Sequence, residues 1–147
     1  MVRKILGVIV GVVVMFLLIF LSFSLVFLII GADLAYKPGT YEVSMLWIAI
    51  STVLGLIVAI IGGYVCRIIA KDRATTVVFA GVLLGIGLAA AIMQAVSPSP
   101  AEVARTAEVS NMEAMQKSIS PLWVLFMNPF ISAIGVWVGG GLGGNKE

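Results

Sequence analysis

From Ile5 to Ile30 the chain runs about 26 residues without a charged side chain. At 1.5 Å per residue that is roughly 39 Å of helix, longer than the ~30 Å hydrocarbon core of a bilayer. The rest of the chain cannot wrap such a helix away from water. Hydrophobic residues make up 61% of the 147 positions and charged ones only 11%, against about 25% charged in ordinary globular domains. In water this composition leaves large sticky patches, so lipid is the solvent that fits. The stretch then reads as a first membrane span that tilts or lifts its ends into the headgroups. Arg3 and Lys4 before it resemble the start of a secretory signal, and Ala32 to Ala35 a cleavage site. A signal core has only about 7 to 15 residues, however, so an uncleaved span is expected.

Three further spans are expected, at about 44–69, 75–96 and 122–142. The first connection holds Lys37, Pro38, Gly39 and Thr40, the Pro-Gly order of a type II turn. Trp47 and Trp123 stand near the starts of their spans, where an indole suits the membrane interface. Arg67, Lys71, Asp72 and Arg73 close the second span, and so few residues separate it from the third that the two should form an antiparallel hairpin. The longest connection, 97–121, opens with the breaker Ser97, Pro98, Ser99, Pro100. It contains two capping boxes, one with Ser99, Pro100 and Glu102 and one with Ser110 and Glu113. Val109, Met112, Met115 and Ile119 give one apolar stripe opposite Glu108, Glu113 and Lys117, which predicts a short amphipathic helix on the bilayer or bundle. The fold class is an all-α integral membrane protein, a four-transmembrane-helix bundle forming a single membrane domain over residues 1–147.

Basic residues orient it. Arg3, Lys4, Arg67, Lys71, Arg73 and Lys146 fall on one side, and Lys37, Arg105 and Lys117 on the other. The positive-inside rule makes the first set, with both termini, cytoplasmic. The plasma membrane of a prokaryote is the expected location.

Helix association in lipid depends on close backbone approach, so small residues four apart mark packing faces. Gly7 and Gly11 supply one in the first span. Ser51, Gly55, Ala59 and Gly63 form an unbroken stripe in the second, which is therefore expected to be central and to touch at least two others. Gly81, Gly85 and Ala89 supply the third span's face, and Gly135, Gly139 and Gly143 the fourth's. The Phe and Leu run from Phe16 to Phe27 reads as lipid-facing bulk.

No Asp, Glu, Lys or Arg lies in the middle of a span, but uncharged polar residues lie within the spans: Ser22, Ser24, Ser51, Thr52, Gln94, Asn128 and Ser132. Counted from the outer ends at about 1.5 Å per residue, Ser24, Ser51 and Asn128 reach nearly the same depth, roughly 9 to 10 Å, with Gln94 shallower. Pro129 cannot donate to the Leu125 carbonyl and is expected to kink the fourth span there, with Asn128 capping the restart or bonding to Ser24, Ser51 or Gln94. Two roles stand open for this layer. It either glues helices together or forms a small polar pocket open to the outer face, fit for the head of a lipid or quinone.

Function is narrowed by subtraction. With no histidine and one cysteine, Cys66, the chain has no usual zinc, haem or dithiol set, so no metal or cofactor is expected. Scattered basic residues give no nucleic-acid footprint. Without buried charges an ion-coupled carrier is disfavoured. The expectation is a non-catalytic accessory subunit or assembly factor, with the bilayer and other membrane subunits or itself as partners. The alternative is a small oligomeric pore or carrier for a neutral or amphiphilic solute. A lipid-modifying enzyme using Glu102, Glu108 or Glu113 is the remote third.

Overall fold

The computed structural model describes residues 1–97 and 109–144, and for Met115 the backbone alone. Pro98, Ser99, Pro100, Glu102, Arg105, Glu108, Lys146 and Glu147 lie outside the described residues, as does the side chain of Met115. Among the described residues five helices follow one another: α1 Val2–Ala35, α2 Met45–Ala70, α3 Arg73–Val96, α4 Asn111–Lys117 and α5 Leu122–Leu142. All but α4 are long and apolar enough to cross a membrane, and the protein is a multi-pass, all-α bundle.

Local chemistry sets the helix ends. Near its end α1 breaks at Gly31, whose φ of 72° and ψ of 173° belong to a region open essentially to glycine alone. The chain then turns through Lys37–Thr40. Gly39 has φ 71° and the Thr40 N–H donates to the Lys37 carbonyl at 3.2 Å, as a type II turn requires. Ser44 caps α2 by accepting from the Trp47 N–H at 3.1 Å. Lys71 closes α2 in the left-handed conformation, with φ 53°. Asp72 at once caps α3, accepting from the Thr75 N–H at 3.3 Å and its hydroxyl at 2.8 Å. Ser110 caps α4 through the Glu113 N–H at 3.2 Å.

We call the end that carries the start of α1, the α2–α3 link and the end of α5 the base, and the opposite end the rim. At the base the helices close around Met15, Ala59, Cys66, Phe79 and Val136, all buried. Backbone proximity makes this possible. A Cβ on Gly7 would stand 2.9 Å from the Cys66 carbonyl oxygen, and one on Gly11 3.1 Å from that of Gly62. On the other side of α2, Gly63 abuts the Val136 backbone, Gly139 the Ile60 carbonyl, and Gly135 lies against Ala59. Gly143 packs under Arg67, where a Cβ would stand 2.8 Å from its Cγ. Thus α2 packs most extensively against α1 and α5. At the base α3 fills the remaining side: Phe79 reaches Gly11, Thr76 meets Gly140, and Lys4 pairs with Asp72 at 2.8 Å.

Several packing expectations require correction. Gly81 and Gly85 have nothing within 4 Å of a would-be Cβ, and Ala89 is exposed, so this stripe points out of the bundle. The glycine of α3 that permits close approach is Gly87, where a Cβ would stand 2.8 Å from the ring of Pro129. Gly55 also faces open space. The Pro129 kink does not break the helix, since α5 runs uninterrupted from Leu122 to Leu142. Among the described side chains of α4, Met112 is exposed and Ala114 is buried, where the Tyr36 hydroxyl donates to the Ala114 carbonyl at 2.9 Å and a small residue fits.

Candidate functional site

Toward the rim the ring of helices opens. Through Gly87 and Pro129, α3 leans on α5, and its last residues, from Ile92 to Ser97, are exposed. No Cα of α1 comes within 8 Å of one in α5. Between these two helices lies a cleft of about 400 Å³, floored by α2 and lined by no residue of α3. Its floor runs from the rim to Gly55, which is eleven residues beyond the cap Ser44, or roughly 16 Å of helix.

One wall is aromatic. Phe23 and Phe27 of α1 meet Trp47 edge to face, with ring centroids 5.8 and 6.2 Å apart, and Tyr36 extends the cluster at 6.3 Å from Phe27. Edge-to-face pairs are the favoured aromatic geometry, so the wall is rigid as well as apolar. Within the Phe16 to Phe27 run, Phe16 and Phe20 are indeed exposed, whereas Phe23 and Phe27 turn inward.

The opposite side is polar but uncharged. Ser51 and Thr52 on α2 and Asn128 and Ser132 on α5 line the deep part, with Asn111, Ser118 and Ser120 nearer the mouth. Among the described residues, no Asp, Glu, Lys or Arg lines the cleft. Ser51 donates its hydroxyl to the Ile48 carbonyl at 3.1 Å. Among the described residues, Thr52, Asn128 and Ser132 have no side-chain hydrogen bond. The structure thus brings together four residues of the sequence-derived polar layer and leaves three aside. Ser22 donates back to the Leu18 carbonyl at 2.5 Å, Ser24 accepts from the Asn111 amide at 2.8 Å outside the cleft, and Gln94 is exposed on α3. The expected bonds from Asn128 to Ser24, Ser51 or Gln94 do not form; its amide borders the cleft instead.

A cover closes the rim end. The α1–α2 connection forms short bridges, Tyr36 with Val43 and Glu42 with Ile119. The Ile119 N–H donates to the Tyr41 carbonyl at 2.9 Å. Tyr41 donates its hydroxyl to Glu113 at 2.8 Å, and Lys117 pairs with the same carboxylate at 2.8 Å. Hydrogen bonds from Lys117 first, then from Tyr41, hold the Glu113 carboxyl below its ordinary range. At the base, a hydrogen bond from Lys4 and then one from Thr75 lower Asp72 to about 2. Both ion pairs lie on exposed surface, away from the cleft.

Sequence reasoning missed Asn111, Ser118 and Ser120 as lining residues, along with the inward Trp47. The signal for Asn111 was available: it follows the Ser110 cap and so starts the helix on the side away from Met112. A second groove, under the Lys4–Asp72 pair, is aliphatic, shaped by Ile5, Val8, Ile9 and Val78. No protein-family model, characterised protein or solved structure matches the chain.

Proposed function

We propose that this chain is a non-catalytic membrane protein that binds an amphiphile in the rim cleft. One observation carries the reading: among the described residues, Thr52, Asn128 and Ser132 stand without hydrogen-bond partners on a concave surface whose other wall is Phe and Trp. Each polar group left unsatisfied at membrane depth costs several kcal/mol, roughly. A molecule with a polar head and an apolar body removes that cost and fills the wall. The described lining offers hydroxyl and amide groups but no acid, amine, thiol or imidazole, which favours binding over reaction.

Arg3, Lys4, Arg67, Lys71 and Arg73 gather at the base against Lys37 and Lys117 at the rim. On this ground we take the base as cytoplasmic and the membrane as the plasma membrane of a prokaryote, so that the cleft opens in the outer leaflet.

Solvent extraction of the purified protein followed by lipid mass spectrometry tests the reading. An amphiphile retained near one per chain, and lost on Gly55→Leu, is the expected result; no retained lipid, or the same lipids in both, defeats it. A second reading, an accessory subunit, is favoured by the outward Gly81, Gly85 and Ala89 face of α3. Its test is co-purification of a stoichiometric membrane partner that Gly85→Leu releases.

A further inference from the structure

We infer that the cleft selects an uncharged amphiphile whose head donates a hydrogen bond, a lipid alcohol such as a monoacylglycerol, over phospholipids and over lipids that only accept. The inference rests on the amphiphile-binding reading above and adds the chemistry of the head.

Absence of charge comes first. A phosphate, carboxylate or ammonium placed among Ser51, Thr52, Asn128 and Ser132 would meet no opposite charge among the described residues that line the cleft. Desolvating an ion without a partner is far costlier than desolvating a hydroxyl. Size agrees: about 400 Å³ lies at the small end of ligand pockets, enough for one head and the first part of a tail.

The need for a donor follows from two internal hydrogen bonds. Ser51 has already given its proton to the Ile48 carbonyl, so its Oγ can only accept from a ligand. Asn111 gives an amide proton to Ser24, and its carbonyl oxygen remains as an acceptor at the same surface. An ester or ketone head could accept from Asn128 or Thr52 and would leave both of these acceptors unanswered. A hydroxyl does both. The tail has an exit, because the backbones of α1 and α5 stay more than 8 Å apart, Cα to Cα, and in a membrane-spanning bundle a gap between two outer helices opens on lipid.

The experiment uses Trp47 as reporter, in the full chain carrying Trp123→Phe and Trp137→Phe, two half-exposed tryptophans that do not line the cleft. In phosphatidylcholine vesicles it is titrated with three probes sharing one brominated acyl chain: a monoacylglycerol, a methyl ester and a lysophosphatidylcholine. Saturable quenching by the monoacylglycerol is expected at about tenfold lower mole fraction than by either other probe. Ser51→Ala together with Asn111→Ala, which removes both acceptors, should erase most of the advantage over the methyl ester, and Gly55→Leu should abolish saturation. Equal saturable quenching by all three, or preference for either of the others, overturns the head chemistry while amphiphile binding stands, provided that Gly55→Leu still abolishes it. Quenching that rises linearly with every probe and ignores Gly55→Leu overturns both.

Discussion

In its base half α2 presents Ala59 and Gly63 to α5; in its rim half the same face presents Ser51 and Gly55 to a cleft. A Cβ at Gly63 would overlap the Val136 backbone, whereas one at Gly55 would meet nothing within 4 Å. Residue type and spacing are the same, so the difference comes from the partners. At the base α3 completes the ring and Phe79, 1% exposed, fills its centre. Toward the rim α3 follows α5, and among the described residues no membrane-spanning helix replaces it beside α1, which on that side meets only the short α4. Small residues allow close approach, but they do not compel it. Where no backbone arrives, the same stripe becomes the floor of a binding surface.

The largest expected effect sharpens this contrast. Gly139→Leu forces a side chain into the Ile60 carbonyl and should cost about 3 kcal/mol or more, while Gly55→Leu should stay within about 0.5 kcal/mol; steric-trap unfolding in bicelles measures both. Comparable losses would show that the rim is packed too. Next, Gly87→Leu wedges α3 from Pro129 and should cost about 2 kcal/mol, with Gly85→Leu close to neutral by the same assay. A smaller effect concerns the cover: Asn111→Ala removes the bond to Ser24 and should cost about 1 kcal/mol, read as faster hydrogen exchange in α4 with α2 and α5 amides unchanged.

The smallest is the pH response of the base clasp. Folding lowers Asp72 from 3.8 to about 2, so its contribution is complete above about pH 4 and is lost as pH falls toward 2. The difference in melting temperature between wild type and Asp72→Asn should therefore be constant from neutrality to about pH 5 and shrink below about pH 4. A difference that grows on acidification would contradict the assignment.

Much of the bundle was legible because hydropathy and capping act locally. Span ends at Gly31, Ser44 and Asp72 follow from residues within one turn of them. Depth was legible too, since counting along helices that start at one end brings Ser51 and Asn128 to one level. Rotation about the helix axis was not. Ser22 and Gln94 sit at plausible depths yet face elsewhere, and Phe23 and Phe27 point inward while Phe16 and Phe20 in the same run are exposed. Gly81 and Gly85 repeat the spacing of Gly7 and Gly11 with the opposite outcome, because Gly87 and Pro129 decide which side of α3 meets α5. That choice depends on a contact between distant segments, which four-residue spacing within one helix does not encode.

The most direct test of a sealed base beneath an open rim uses the native thiol as its own control. Cys66 is fully buried at the base, and Thr52→Cys adds a second thiol on the cleft surface. Labelling the folded variant with a small membrane-permeant maleimide and counting adducts by intact mass should give one adduct, mapped to position 52. Two adducts would mean that the base is not sealed, and none would mean that the cleft is closed.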